Sequence, residues 1–333
     1  MTTPAIQITG MPYVAGVARG RLQHGLQDNP AGRIVMLEQP PPGALEPPPA
    51  GFVIVDGAPF SHSQIPLLGS GVPTIMINRA QANGLQTGME LVLDGTTGLL
   101  TSDPSACVAP REPPVAGAVS TTPDGVTVSL RVSARSRQAV QAAVGSGAGA
   151  IGLLRSEYVY PEDGQMPDAA FYRDAFRQLC ETAAGLPLTI RLFDIAASKR
   201  PAWLQLPPAD TGVLGRQGVR LYADEPVQGI YRAQLQAIAT LVPEFDVRIL
   251  LPYVADLAEL QYWHDDVLQQ LACRVTVGAM AETPAAALQL CEWLEVVEFA
   301  AIGCNDLMQC LFGADRDQPA VQRYLDPYAP ALY

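Results

Sequence analysis

The chain has 333 residues, with 33 acidic and 21 basic side chains and a formal net charge of −12. This length is enough for about two domains, and a hydrophobic share of 48% with 16% charged residues is typical of a folded globular protein. The acidic balance argues against nucleic acid or an anionic membrane surface as partner, because both require a surplus of Lys and Arg.

Targeting signals and paired cysteines are not recognisable in the sequence. No apolar run reaches the roughly 18 residues of a membrane-spanning helix, and the first four residues lack the basic and apolar regions of a secretory signal. The six cysteines form no C-x-x-C pair. These features predict reduced thiols in a cytoplasmic protein.

Residues 1–103 are predicted to form a compact α/β domain. Gly51–Val55, Thr74–Ile77 and Glu90–Leu93 are interpreted as short buried strands, and Asp94-Gly95 as a hairpin turn between apolar flanks. The proline-rich stretch 104–114 is predicted to be a semi-rigid linker, since proline fixes φ and removes a donor. The alternative is one irregular domain without a hinge.

Residues 115–333 show alternating strand and helix signals. The apolar runs are Val126–Val132, Ala150–Leu154, Leu188–Phe193, Val247–Pro252, Val275–Met280 and Phe299–Ile302. The helical segments are Arg135–Val144, Phe171–Ala183, Val227–Leu241, Leu257–Leu271 and Pro284–Leu294. This alternation predicts parallel strands with right-handed crossovers. A full barrel has eight such units, so the six present predict a (β/α)8-type barrel that lacks its last two strands.

Charged residues follow the predicted strands at the edge where barrel sites lie. The cations are Arg155, Arg191, Lys199 (the only lysine) and Arg316. Glu282 and Asp306 follow adjacent strands, and two carboxylates suit one Mg²⁺ ion that also takes substrate oxygens and water. Because arginine binds phosphate and carboxylate through two donors, the set predicts a site for a phosphorylated carboxylic acid with Mg²⁺.

Structural roles are the alternative for each of these residues taken singly. Arg155 with Glu157, and Arg191 with Asp194, would form salt bridges between barrel layers. Glu282 would favour the N-terminus of the helix that begins at Pro284. The functional interpretation rests on all of them falling at strand ends.

Several motifs resemble those of a known family. In the second region these are Gly152-Leu153-Leu154-Arg155-Ser156-Glu157, Arg191-Leu192-Phe193-Asp194-Ile195, Glu282-Thr283-Pro284 and Gly303-Cys304-Asn305-Asp306-Leu307. In the first they are Asp56 to Ser63, Gly71-Val72-Pro73-Thr74 and Asp94 to Gly98. Together they resemble the phosphoenolpyruvate-utilising enzymes, in particular the phosphohistidine domain and barrel of enzyme I of the sugar phosphotransferase system. Phosphoenolpyruvate synthase and pyruvate phosphate dikinase are similar.

The resemblance implies a role for each matched residue. Arg155, Arg191 and Arg316 would bind phosphoenolpyruvate, with Lys199 nearby and Asn305 beside the phosphate. Glu282 and Asp306 would bind Mg²⁺. His62 would carry the phosphoryl group between this site and a protein or small-molecule acceptor, and a neutral imidazole is a suitable nucleophile near pH 7.

The chain also departs from the family pattern. Phe60 replaces a threonine two residues before His62, and Gln64 replaces a small residue. Gln217 stands where the family has a substrate arginine; Arg216 is a neighbouring substitute, and Arg220 matches a later family arginine. The family's last two strands, with a cysteine that protonates the enolate, are not matched, and Cys304 and Cys310 are interpreted as buried structural thiols.

Three functions remain open from the sequence. The first is a phosphoenolpyruvate-dependent phosphotransferase with Mg²⁺ and a phosphohistidine at His62. The second is a catalytically impaired relative that binds a ligand or regulates, favoured by Phe60 and Gln217. The third is a Mg²⁺-dependent lyase acting on pyruvate or phosphoenolpyruvate, which would not need His62. An incomplete barrel exposes strand edges, which predicts a longer native protein, a homodimer or a disordered last segment.

Overall fold

The computed structural model divides the chain into two compact units. The first comprises Met1–Pro113 with Ala314–Asp326, and the second comprises Pro114–Gly313 with Pro327–Tyr333. The structure describes residues 6–27, 29–41, 45–105, 120–161, 164–195, 201, 203–204, 206 and 214–333. The linker predicted at 104–114 lies almost wholly outside the described residues, so the functional boundaries 1–103 and 115–333 stay a prediction.

The first unit is built on one mixed sheet of eight strands. In chain order these are β1 (Gln7–Thr9), β2 (Met11–Val14), β3 (Val17–His24), β4 (Arg33–Leu37), β5 (Gly51–Val55), β6 (Thr74–Ile77), β7 (Glu90–Asp94) and β8 (Leu99–Thr101). The spatial order is β1-β8-β7-β3-β4-β5-β6-β2. Strands β3 to β6 run parallel, and the outer pairs are antiparallel.

Strand β5 lies inside this sheet and is buried along its whole length. Val53 and Val55 belong to the apolar cluster on one face of the sheet, whereas Phe52 and Ile54 belong to the cluster on the other. This alternation follows from the two-residue period of a strand. The predicted strands at β5, β6 and β7 are confirmed, as is the hairpin that joins β7 to β8. The short helices α1 (Ile65–Leu68) and α2 (Arg79–Ala82) follow β5 and β6.

The second unit contains a parallel sheet of six strands within the described residues. They are β11 (Arg131–Ala134), β12 (Ala150–Arg155), β13 (Leu188–Arg191), β14 (Val247–Val254), β15 (Thr276–Ala281) and β16 (Phe299–Ile302). Each strand pairs in parallel with the next one along the chain. Together they form a half-barrel, so the predicted α/β fold with a barrel-type parallel sheet is confirmed.

Helices connect the strands of this half-barrel. They are α3 (Arg137–Gly145), α4 (Ala169–Thr182), α5 (Val227–Leu241), α6 (Leu257–Leu271), α7 (Pro284–Leu288), α8 (Leu290–Trp293) and α9 (Cys304–Phe312). Helices α3, α4, α6 and α7 begin at side-chain caps, which are Ser136, Asp168, Asp256 and Thr283. Such caps satisfy backbone N–H groups that have no partner inside the helix. None of the helices in the described ranges is long and apolar enough to cross a membrane.

Two predicted elements are wrong in their extent. The run Val126–Val132 is divided between β10 (Thr127–Val128), which pairs antiparallel with β9 (Ser120–Thr121), and the start of β11. Val126, Val128 and Leu130 are exposed, so their apolar character does not place them in the parallel sheet.

The second error concerns the helix predicted at Pro284–Leu294, which is broken into α7 and α8 at Gln289. The side chain of Gln289 accepts a hydrogen bond from the backbone N–H of Leu257 at 3.1 Å. This tie to the start of α6 accompanies the non-helical backbone at the break.

Candidate functional site

Arg191, the last residue of β13, is the centre of a buried cluster of charges in the second unit. Its side chain is 5% exposed. Nη2 pairs with the carboxylate of Glu157 and lies 2.8 Å from Oδ2 of Asp194, while Nη1 lies 3.9 Å from Oε1 of Glu282. Burial by itself lowers the pKa of Arg191, but the charges of Asp194, Glu157, Glu282 and Asp306 raise it above its ordinary value. The guanidinium therefore stays charged.

Several carboxylates lie around Arg191. The charges of Asp194, Glu157, Glu282 and Asp306 all act on its buried guanidinium. Among the described residues, Oε2 of Glu157 is buried and has no hydrogen-bond partner. The cluster therefore combines fixed carboxylates with a fixed cation.

Arg155 extends the site to the neighbouring strand. It is the last residue of β12 and is the direct parallel partner of Arg191 across the ladder. Its Nε is buried with no hydrogen-bond partner among the described residues, so a donor is available to an anionic ligand. The alternative salt bridge between Arg155 and Glu157 is not the pairing found, because Glu157 binds Arg191 instead.

Glu282 follows β15 and points into the site rather than capping the next helix. Thr283 caps α7, because the Thr283 side chain accepts a hydrogen bond from the backbone N–H of Ala286. Oε2 of Glu282 accepts the backbone N–H of Tyr253 at 3.2 Å, and Tyr253 itself has a left-handed φ of 52°. Strained backbone of this kind is common at functional sites. The structural alternative for Glu282 is therefore wrong.

Asp306 lies in the first turn of α9, where the helix dipole favours a carboxylate. Glu282 and Asp306 both act on Arg191 and on the thiol of Cys310, which places the two carboxylates in one neighbourhood. No three His, Cys, Asp or Glu side chains of the described ranges converge into a ready-made metal cage. Two carboxylates nevertheless fit Mg²⁺, which usually keeps water and takes substrate oxygens beside one or two carboxylates.

Gly303 allows Glu282 to reach this position. A Cβ atom at Gly303 would overlap Cγ of Glu282 and would lie 2.5 Å from Oε1. We expect Gly303→Ala to lower the free energy of unfolding by about 1–3 kcal/mol, because overpacking displaces the carboxylate or the backbone. Urea denaturation measures this loss. Gly145→Ala, with open space around the new Cβ, is the control, and an equal change in both variants would contradict the prediction.

The remaining predicted substrate residues are not all in one place. Gln217 is buried and hydrogen-bonds Tyr253, whereas Arg216 is exposed and pairs with Asp224. Arg216 therefore does not share the buried position of Gln217 beside Tyr253. Arg220 stacks over the Tyr253 ring at 5.3 Å.

Two further predicted residues differ in how far the structure describes them. Asn305 is half-buried beside Asp306 in the first turn of α9. Lys199 lies outside the described residues.

The cysteines near α9 differ from the expectation of buried structural thiols. Cys304 is exposed, and Cys310 is half-buried beside Tyr253. Burial, with the nearby charges of Asp306 and Glu282, raises the pKa of Cys310, so its thiol stays protonated near neutral pH. The sequence pattern did not predict the different exposure of these two thiols, which both lie in α9.

His62 and Arg316 come together in the first unit, although they are far apart in the sequence. His62 lies in the turn between β5 and α1, and Nη2 of Arg316 is at hydrogen-bond distance from its Nε2. Asp317, which sequence reasoning missed, accepts the backbone N–H of His62 at 3.0 Å and lies 3.2 Å from its Nδ1. Its position next to Arg316 is the only signal that the sequence contains.

Comparison with known proteins identifies relatives of this chain. The chain is 33% identical over 295 residues to a phosphoenolpyruvate-protein phosphotransferase of Streptomyces coelicolor, covering 85% of this chain and 52% of that protein. The corresponding protein of Bacillus subtilis is 27% identical over 306 residues, covering 85% and 53%. Multiphosphoryl transfer protein 1 of Escherichia coli is 24% identical over 307 residues, covering 85% and 37%.

This chain thus spans about half the length of the first two relatives. Residues 114–333, about two thirds of the chain, match the family described as PEP-utilising enzyme, PEP-binding domain. Those residues contain the half-barrel and its cluster of charges. The chain therefore belongs to the family of phosphoenolpyruvate-utilising enzymes.

Proposed function

We propose that the protein is a phosphoenolpyruvate-dependent phosphotransferase that moves the phosphoryl group to His62 and then to an acceptor. The observation that carries the proposal is the buried cluster around Arg191, at the carboxyl ends of the strands in the matched family region. Phosphoryl transfer depends mainly on positioning and on neutralising charge, and this cluster holds fixed arginines beside carboxylates that suit a metal ion.

Each residue has a proposed role. Arg155, Arg191, Lys199 and Asn305 bind the phosphate and carboxylate of phosphoenolpyruvate, and Arg220 supports them through Tyr253. Glu282 and Asp306 hold Mg²⁺, which when bound neutralises phosphate charge. His62 accepts the phosphoryl group with Arg316 at its Nε2. Residues 1–103 serve as the mobile phosphohistidine domain, 104–114 as linker and 115–333 as the substrate domain, although 314–326, with Arg316 and Asp317, belong to the first compact unit.

The acceptor follows from the names of the relatives. Two of them are named as transferring phosphate from phosphoenolpyruvate to protein, so we propose a protein acceptor, with a small molecule as the alternative. We place the reaction in the cytoplasm, with no nucleic acid or membrane as partner, in line with the acidic charge of the chain. A homodimer that covers the outer edge of β16 belongs to the same proposal, since Ile302 on that strand is 58% exposed.

The test is the intact mass of the protein after incubation with phosphoenolpyruvate and Mg²⁺, kept alkaline because phosphohistidine is labile to acid. We expect a phosphate adduct on the wild type and none on His62→Ala. His264→Ala is the control, since His264 lies on α6 in the second unit and pairs with the neighbouring Asp265. An adduct that survives in His62→Ala would contradict the assignment of His62.

A ligand-binding relative without transferase activity is the second candidate. Gln217 is the observation in its favour, because a neutral amide occupies the buried position beside Tyr253 where the resemblance implies a substrate arginine. Thermal stabilisation by phosphoenolpyruvate without any adduct would support this candidate. Turnover of phosphoenolpyruvate in His62→Ala at the wild-type rate would support a lyase.

A further inference from the structure

The ring of His62 is held on two sides by consecutive residues of the first unit. Oδ1 of Asp317 accepts the backbone N–H of His62 at 3.0 Å, and Oδ2 lies 3.2 Å from ring Nδ1. Nη2 of Arg316 contacts the opposite ring nitrogen, Nε2. The His62 side chain is 14% exposed, so these contacts have limited competition from water.

The chemistry of the two partners fixes where the ring proton is. A guanidinium only donates hydrogen bonds, so Nε2 must accept from Arg316 and carry a lone pair. The proton of the neutral imidazole is then on Nδ1, where it donates to the Asp317 carboxylate. Burial of Asp317 raises its pKa, but the hydrogen bonds from the ring and backbone of His62, together with the charge of Arg316, lower it more, so the carboxylate is ionised.

We propose that Asp317 is a positioning residue for His62, holding the ring and its Nδ1–H tautomer so that Nε2 is the nucleophile. This inference rests on the proposed function and adds to it a residue that nothing in the sequence pattern assigns. The contact with the backbone N–H of His62 fixes the turn, and the contact with Nδ1 fixes the ring. One side chain thus orients both.

The transfer step balances without a proton leaving the ring. The Nε2 lone pair forms the N–P bond, and the bond between phosphorus and the enol oxygen breaks with its electron pair on that oxygen. The proton on Nδ1 stays in place, so the product is a phosphorylated imidazolium whose positive charge faces the Asp317 carboxylate. Arg316, already at Nε2, is placed to bind the phosphoryl oxygens.

The first test reads the tautomer directly by NMR of ¹⁵N-labelled imidazole rings. The chain has only three histidines, His24, His62 and His264, and His62→Ala identifies the signal. We expect the wild type to show a protonated Nδ1 and a bare Nε2 at His62. In Asp317→Asn, whose amide oxygen still accepts the backbone N–H, we expect the Nδ1 proton signal to weaken or move to Nε2. An unchanged signal would overturn the inference.

The second test separates this inference from the proposed function. Phosphorylation of His62 is timed with phosphoenolpyruvate and Mg²⁺, and independently with phosphoramidate, a small donor that needs no phosphoenolpyruvate site. We expect Asp317→Asn to react about 10- to 100-fold more slowly with both donors, the range expected for losing a hydrogen bond to a charged group. Asp103→Asn, which removes a surface carboxylate bonded to Ser105, should react like the wild type.

The outcomes are distinguishable. A wild type that reacts with phosphoramidate but not with phosphoenolpyruvate would overturn the proposed function, and the slower reaction of Asp317→Asn with phosphoramidate would still support the role of Asp317. An Asp317→Asn variant that matches the wild type with both donors would overturn the role of Asp317 and leave the proposed function standing.

Discussion

Arg191→Met is expected to lower the free energy of unfolding by about 3–5 kcal/mol, the range for removing one partner of a buried ion pair. The guanidinium is buried between Glu157 and Asp194 with Glu282 nearby. Its loss leaves these carboxylates close together without the guanidinium that pairs with Glu157 and Asp194. We expect phosphohistidine formation from phosphoenolpyruvate to fall below detection, because both the ligand and the carboxylates lose their fixed cation.

Denaturant unfolding and the phosphorylation assay measure the two losses. Arg177→Met is the matched control, because Arg177 makes a two-point pair with Glu244 on the surface, where ion pairs contribute little. Arg191→Lys keeps the charge but not the planar two-donor geometry, so we expect an intermediate loss. Equal free energies of unfolding for Arg191→Met and Arg177→Met would contradict the prediction that the buried charge of Arg191 stabilises the fold.

The difference in the free energy of unfolding between wild type and Arg191→Met is expected to depend on pH in a definite direction. The raised pKa of Arg191 means that its guanidinium stays charged throughout the neutral and acid range and loses its proton only in strong alkali. In Arg191→Met, acid should instead recover stability, since protonating a carboxylate removes a like charge. We therefore expect the difference in the free energy of unfolding between wild type and Arg191→Met to become smaller as the pH falls from neutral.

The position of the site was predictable because parallel strands bring their carboxyl ends to one edge. Arg191 and Glu282 follow predicted strands, and the structure brings them together although they are far apart in the sequence. Apolar runs also predicted β5, β6 and β7 of the first sheet and β12 to β16 of the second, but not the inner strands β3 and β4. These features depend on local pattern and on the topology that follows from it.

The ion pairs between side chains were less predictable, since they depend on the direction in which each side chain points as well as on the distance between the residues. The sequence offered Arg155 as the partner of Glu157, but the structure pairs Glu157 with Arg191 on the next strand. Arg216 and Gln217 are adjacent in the chain, and only the local backbone decides that the glutamine is buried and the arginine exposed.

No sequence pattern assigned a role to Asp317, whose only signal was its position next to Arg316. Its contacts with His62 join residues 255 apart in the chain, and no spacing rule connects them. The exposed side chains of Val126, Val128 and Leu130 show the converse limit. An apolar run predicts burial only where the fold supplies a surface to pack against.

Glu282→Gln and Asp306→Asn are each expected to remove the stabilisation of the protein by Mg²⁺ with phosphoenolpyruvate. A ligand present at 100 times its dissociation constant stabilises the folded state by about 2.7 kcal/mol, which is readily seen as a shift in Tm. We expect phosphohistidine formation to fall by at least about a hundredfold in each variant, since a bound metal contributes several kcal/mol to stabilising the transition state.

The matched control is Glu298→Gln. Glu298 makes the same kind of contact as Glu282, accepting a backbone N–H from Val277 at 3.0 Å, but it precedes β16 whereas Glu282 follows β15. The glutamine at 282 can still accept the N–H of Tyr253 through its amide oxygen, so the fold of the strand end is retained. Loss of the Mg²⁺ effect in Glu298→Gln as well would contradict a specific site at the carboxyl edge.

The double variant decides whether the two carboxylates hold one ion. If they do, removing either ligand already abolishes the Mg²⁺-dependent shift in Tm. The double variant, Glu282→Gln with Asp306→Asn, then shows the same loss of this shift as each single variant. Residues that bind the same group are non-additive in this way, whereas independent sites add. Additive losses would mean that Glu282 acts through Arg191 and that Asp306 alone binds the metal.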